Sequence, residues 1–197
     1  MQVETPPSLF TKYHCSMCNS FNKKFLDEAA KALEQNPDDG LTDHTIYMKE
    51  AIDTAIESVL SNEGGPFGCV IIKDGKIIGK GNNRVTSTND PTAHAEVIAI
   101  REACKALNSF QLDDCFIYTS CEPCPMCLGA IYWARPKKVY YGCNKSDAAK
   151  IGFDDDFIYK ELDLDPAKRT IPFEQINREI ALKAFKTWEE KDDKIEY

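Results

Sequence analysis

The chain has 197 residues, 43% hydrophobic and 28% charged, a balance that suits one globular domain with a full core and excludes a disordered chain. Its formal net charge is −8 and its densest basic run is Arg135-Pro136-Lys137-Lys138, which reads as a solvated turn and argues against a nucleic acid polymer as partner. No apolar run approaches the roughly 18 residues of a membrane span, and MQVETPPSLF lacks a basic region followed by an apolar stretch, so a cytoplasmic location without membrane contact is expected.

Residues 1–44 read as an N-terminal extension, and 45–197 as the main domain. In the extension Phe21, Phe25, Ala29 and Leu33 recur at i+4 and predict one modest helix before the breaker NPDDG. From residue 45 the pattern becomes regular. IYMKEAIDTAIESVL sets Met48, Ile52, Ala55/Ile56 and Val59 on one predicted helical face. FGCVIIK and KIIGKG flank Asp74-Gly75, a hairpin turn signal between two β-rich runs. The polar loop NNRVTSTNDP leads to Thr92, a candidate N-cap for the helix AHAEVIAIREACKAL. A strand CFIYT, a cysteine loop, a helix PMCLGAIYWA and a strand KKVYYG follow. Short helical pieces (DAAKIGF, DFIYKEL) and a last helix around REIALKAFKTWEEK close the chain. This order predicts an α/β fold, a three-layer α-β-α sandwich around a central mixed sheet, antiparallel at its hairpin and parallel where helices cross over.

Nine cysteines in a chain expected in a reducing compartment point to metal ligands and buried thiols, not to a disulfide framework. TSCEPCPMCLGA holds Cys121, Cys124 and Cys127 at every third position, so two C-x-x-C pairs overlap. Pro125 suits the first position of a helix, lacking an N–H to leave unbonded. Cys124 then stands at or near the N-cap with Cys127 one turn on, on a shared face. A helix N-terminus favours anions, so both thiols should ionise readily. Cys121 precedes the helix and lacks these constraints, which selects Cys124/Cys127.

A tetrahedral zinc needs a third protein ligand and, if structural, a fourth. Only His14, His44 and His94 offer imidazole, and His94 stands two residues before an acid in TAHAEV. His94 and Glu96 are about 200° apart around a helix, so both address one ion only if it lies off the helix N-terminal end. Two thiolates and one neutral imidazole cancel most of the ion's charge and blunt its acidifying effect on water. A carboxylate that takes the water's proton is then valuable, and Glu96 is the candidate general acid/base rather than a ligand.

Other readings compete. A redox C-x-x-C needs no upstream H-x-E. A structural zinc would recruit Cys121 or Cys69 as fourth ligand and leave Glu96 incidental. Cys15/Cys18 beside His14 have no second pair at zinc-finger spacing and read as free thiols. Cys104, Cys115 and Cys143 read as core, His44 as a helix-terminus residue, and Tyr132 and Trp133 as core or pocket wall.

His94-Ala95-Glu96 with Pro123-Cys124-Pro125-Met126-Cys127 matches the H-x-E…P-C-x-x-C signature of zinc deaminases. The chain resembles the cytidine deaminase-like superfamily and, within it, the bacterial guanine deaminases, through GGPFG, NDPTAHAEV, YTSCEPCPMCLGAIYWARPK, GFDD, FIYKE and RTIPF. The likeness runs from about residue 45 to the end, while Cys69 stands where alanine is expected. It implies one zinc per subunit on His94, Cys124 and Cys127, Glu96 as proton carrier, and hydrolysis of guanine to xanthine and ammonia. It also implies a purine site made by Asn83, Phe67, Ala95, Trp133 and Asp155, closed by Tyr197. A homodimer whose segment 175–197 crosses to the partner's site is implied as well. Deamination of guanosine or another base or nucleoside, tRNA adenosine deamination, and a non-catalytic zinc-stabilised module are the alternatives.

Overall fold

The computed structural model describes residues 44–197, so the helix expected over 21–33, His14 and the Cys15/Cys18 pair lie outside the described residues. The described chain runs α1 (His44–Leu60), β1 (Gly68–Lys73), β2 (Lys76–Asn82), α2 (Val85–Thr88), α3 (Ala95–Leu107), β3 (Phe116–Cys121), α4 (Pro125–Ala134) and β4 (Lys138–Cys143). It continues through α5 (Lys145–Lys150), α6 (Asp156–Leu162), a 3-10 turn (Pro166–Lys168) and α7 (Arg178–Glu189).

The strands form one sheet in the order β2-β1-β3-β4. β1 pairs antiparallel with β2 and with β3, and β3 pairs parallel with β4. β2 and β3 therefore run parallel with β1 between them, and α3 makes the crossover that skips it. The hairpin forms at Asp74-Gly75, where φ values of 49° and 73° match the left-handed pair required by a tight two-residue turn.

β1 alternates strictly between two cores, as a strand buried on both faces does. Val70 and Ile72 join Ala51 of α1 and Tyr118 on one face. Cys69 and Ile71 join Ala95, Ala99 and Ala103 of α3 and Ile131 of α4 on the other. The mixed-sheet, three-layer α-β-α expectation is thus met.

Three local expectations need correction. The buried face of α1 is Ala51, Thr54, Ala55 and Ser58, while Ile56 and Val59 are exposed. Small residues face the sheet because the helix rides directly on backbone: a Cβ added at Gly68 would lie 2.2 Å from the Ala51 carbonyl oxygen. Next, the N-cap of α3 is His94, not Thr92, whose hydroxyl instead donates to Asp90 at 2.7 Å. Finally, Cys143 is exposed rather than core, because β4 is an edge strand.

α3 is seated as closely as α1. A Cβ on Gly81 would lie 2.2 Å from the Ala95 carbonyl oxygen, so glycine on β2 is what lets the first turn of α3 press onto the sheet. That contact fixes the height at which His94 and Glu96 leave the helix.

Candidate metal centre and active site

Two helix starts converge on one point. His94 is the N-cap of α3 and Cys124 the N-cap of α4, both extended and neither making a side-chain capping bond. Their side chains are therefore available for something other than the helix. Pro125 opens α4 as expected, and Cys127 is buried one turn along. His94 lies before the first helical residue, so the angular conflict with Glu96 does not arise.

His94 Nδ1 stands 3.5 Å from both the Cys124 and the Cys127 sulfur. The three ligand atoms lie within 4.8 Å of one another, and this is the group among the described residues able to hold a metal. Zn–S and Zn–N bonds at tetrahedral angles imply an N···S edge of about 3.6 Å. The donor set therefore fits zinc in chemistry and in spacing. Among the described residues no fourth ligand joins these three, as suits a catalytic rather than a closed structural site.

The protonation pattern fits a site made for a cation. A hydrogen bond from the Cys127 thiol, with help from His94, holds Cys124 as a thiolate with its pKa lowered to about 4. Cys127 departs from the expected easy ionisation. The bond to Cys124, burial and the neighbouring Glu96 charge all hold its proton on. The bond to Cys124 raises the His94 imidazole. A divalent ion between these atoms would replace the proton that Cys127 now shares.

Cys121 is set apart. Its thiol donates to the Asn144 carbonyl at 3.7 Å, and burial pushes its pKa up to about 11. Cys69 is fully buried on β1, and burial, then the Glu96 charge, raises its thiol. Neither joins the ligand cluster, so neither serves as the fourth ligand that a closed structural site would recruit.

Glu96, in the first turn of α3, is 6% exposed. Its Oε1 accepts a hydrogen bond from the Thr119 hydroxyl at 3.0 Å. Burial raises its carboxyl above the usual range, against the pull of its own N–H, the Cys127 thiol and Thr119. A carboxyl moved toward neutrality is suited to giving and taking protons.

A cavity of about 430 Å³ opens in front of His94, Glu96 and Cys124. Phe67, Asn83 and Asp155 line it, as expected from the sequence. Asn83 Oδ1 accepts from the Gly65 and Val85 amides at 3.2 and 3.3 Å, which leaves the amide Nδ2 to donate into the cavity. Asp155 closes the other side at the start of α6, its carboxyl raised by burial and then by the Cys124 charge. Ala95 is fully buried under α3 and is not part of the lining. A larger hollow of about 700 Å³ beside α1 and β2 holds none of these residues.

Trp133 and Tyr197 stand elsewhere. They are 63% and 70% exposed, their rings 5.9 Å apart, with Phe110 6.3 Å from Tyr197. Phe153 is the second aromatic wall, its ring edge-on to Phe67 at 4.9 Å. Sequence reasoning missed Phe153 and Thr119. An aromatic two residues before Asp155 was the available signal for the first; for the second, one of two adjacent hydroxyls in a buried strand, Thr119 and Ser120, gave no signal that set it apart.

These features together describe a zinc hydrolase acting on a small flat ring. Residues 41–143 match the family described as the cytidine and deoxycytidylate deaminase zinc-binding region, and the chain belongs to that family. It is 58% identical over 154 residues to the guanine deaminase of Bacillus subtilis (strain 168), covering 78% of this chain and 99% of that protein. The X-ray structure of guanine deaminase from Bacillus subtilis superposes with a TM-score of 0.78, covering 79% of this chain and 99% of that one at 58% identity. A tRNA-specific adenosine deaminase of B. subtilis is 40% identical over 102 residues, covering 52% of this chain and 63% of that protein.

Proposed function

We propose that the chain is a zinc-dependent guanine deaminase, a hydrolase converting guanine and water to xanthine and ammonia in purine catabolism. The observation that carries it is the open His94–Cys124–Cys127 cluster with buried Glu96 beside it, under an aromatic-walled cavity, in a chain so similar to a guanine deaminase.

His94, Cys124 and Cys127 would hold the zinc, which would supply a lowered proton affinity to a water bound beside them. Glu96 takes one proton from the water that attacks C2 and gives it to the ring nitrogen beside C2, then takes the remaining proton from the new C2 hydroxyl and gives it to the departing amine. The C2–O bond forms, the C2–N bond to the exocyclic amine breaks, and ammonia leaves. Phe67 and Phe153 offer apolar walls to the flat ring. The Asn83 Nδ2 donors suit the acceptors O6 and N7, and the Asp155 carboxylate suits the donor edge at N1–H. Ala95 supports this site from beneath rather than by lining it.

The protein works as a cytoplasmic homodimer. Trp133 and Tyr197 lie outside their own cavity, and the C-terminal segment exposes apolar residues such as Ile176, Ile180, Phe185 and Trp188, a strip that a second copy would cover. On this reading the C-terminal segment crosses over and Tyr197 closes the partner's cavity. No nucleic acid polymer is required: the net charge of −8 disfavours one. Among the described residues no helix is long and apolar enough to cross a membrane.

The test is ammonia release by the zinc-loaded protein offered guanine, guanosine, cytosine, cytidine, adenine and adenosine separately. Turnover confined to guanine is expected. Turnover of guanosine would keep the chemistry and overturn the closed pocket, and silence on all six would point to another substrate or to a binding module.

A further inference from the structure

Thr119 sits in the middle of β3, facing Cys69 on β1 and Tyr141 on β4 across the sheet. It is 1% exposed, so its hydroxyl cannot turn to water. Among the described residues that hydroxyl makes one hydrogen bond, donated to Glu96 Oε1 at 3.0 Å. A buried hydroxyl costs free energy unless bonded, and a β-branched side chain has a stiff first torsion. The donor is therefore held at a fixed point by the sheet.

The other donors to Glu96 are its own backbone N–H and the Cys127 thiol. Of these donors the Thr119 hydroxyl is the one anchored in the sheet, 3.0 Å from Glu96 Oε1.

We propose that Thr119 is a positioning residue of the deaminase: its hydroxyl pins one oxygen of the Glu96 carboxylate to the sheet, so that the other is aimed at the proton to be moved. The inference rests on the deaminase reading above. General acid–base catalysis requires donor and acceptor within about 2.6–3.2 Å. A long carboxylate side chain held only at its helix N–H can swing out of that range.

The experiment compares Thr119→Val, which keeps the shape and removes the hydroxyl, with Thr119→Ser, which keeps the hydroxyl, in the full-length zinc-loaded protein. Zinc content, the visible spectrum of the cobalt-substituted form, kcat and KM for guanine, and a crystal structure of each variant are the readouts. Loss of a hydrogen bond to a charged group lowers kcat about ten- to a hundredfold in Thr119→Val. KM stays within about twofold, since substrate binding is untouched. Metal content and cobalt spectrum match the parent, and Glu96 leaves its position in the crystal. Thr119→Ser returns kcat to near the parent value. An unchanged kcat in Thr119→Val, loss of zinc in it, or a Thr119→Ser variant as slow as the valine overturns the proposal. The Glu96 position is read without any turnover. A parent protein idle on guanine would sink the substrate reading, while Glu96 unmoved in the Thr119→Val crystal would sink the role of Thr119.

Discussion

At the residue scale, three thiols spaced alike in sequence acquire three chemistries from their surroundings. Cys124 ends as a thiolate at a helix start, Cys127 as its buried donor, and Cys121 as a protonated thiol tied to the Asn144 carbonyl. Cys124→Ser and Cys127→Ser should each lose zinc, read by elemental analysis, whereas Cys121→Ser should retain about one equivalent per chain. Zinc loss in Cys121→Ser alone would reverse the assignment. Glu96→Gln keeps size and removes the proton carrier, so zinc should remain while kcat falls by about 10²–10⁴. Retained turnover would take Glu96 out of the mechanism. The sequence made these residues legible because their spacing is local: H-x-E and C-x-x-C each lie within one helical turn. Thr119 and Phe153 were not legible in that way, because each reaches the site from a different element.

At the element scale, the site depends on how closely helices lie on the sheet. Sequence patterning located both helices that carry the ligands, with Pro125, by its fitness for a first helical position, marking the opening of α4. It placed the buried face of α1 only in part: of Met48, Ile52, Ala55/Ile56 and Val59, Ala55 is buried while Ile56 and Val59 are exposed. A face that meets bare backbone must be small rather than bulky, and Ala51, Thr54, Ala55 and Ser58 fill that role. The same logic holds on the opposite face, where Gly81 admits the first turn of α3. Gly81→Ala places a methyl group 2.2 Å from the Ala95 carbonyl oxygen, and backbone cannot yield as a flexible side chain would. Overpacking of this kind costs about 1–3 kcal/mol, seen as a lower urea midpoint. Because His94 and Glu96 ride on that turn, zinc affinity should fall with it. Unchanged stability and metal affinity would show that α3 has more play than the contact allows.

At the scale of the whole molecule, the described chain brings together three candidate metal ligands, a proton carrier and two aromatic walls, but leaves Trp133 and Tyr197 on the outside. Letters could suggest that Tyr197 closes a pocket. They could not say whose, because what a chain end packs against is set by tertiary and quaternary contacts rather than by local spacing. A swapped dimer makes a sharp prediction. Tyr197→Ala should raise KM for guanine without loss of zinc, and Glu96→Ala should be inactive. Refolded together, the two variants form mixed dimers in which one body with intact Glu96 receives an intact Tyr197 from its partner. That site is complete, so the mixture should show a low-KM component, absent from either variant alone, with an amplitude approaching one site per mixed dimer. In a dimer whose tails stay on their own bodies no complete site can arise, and the mixture would keep the high KM of Tyr197→Ala. Sedimentation of the mixture excludes the trivial failure, since monomers could not complement in either arrangement.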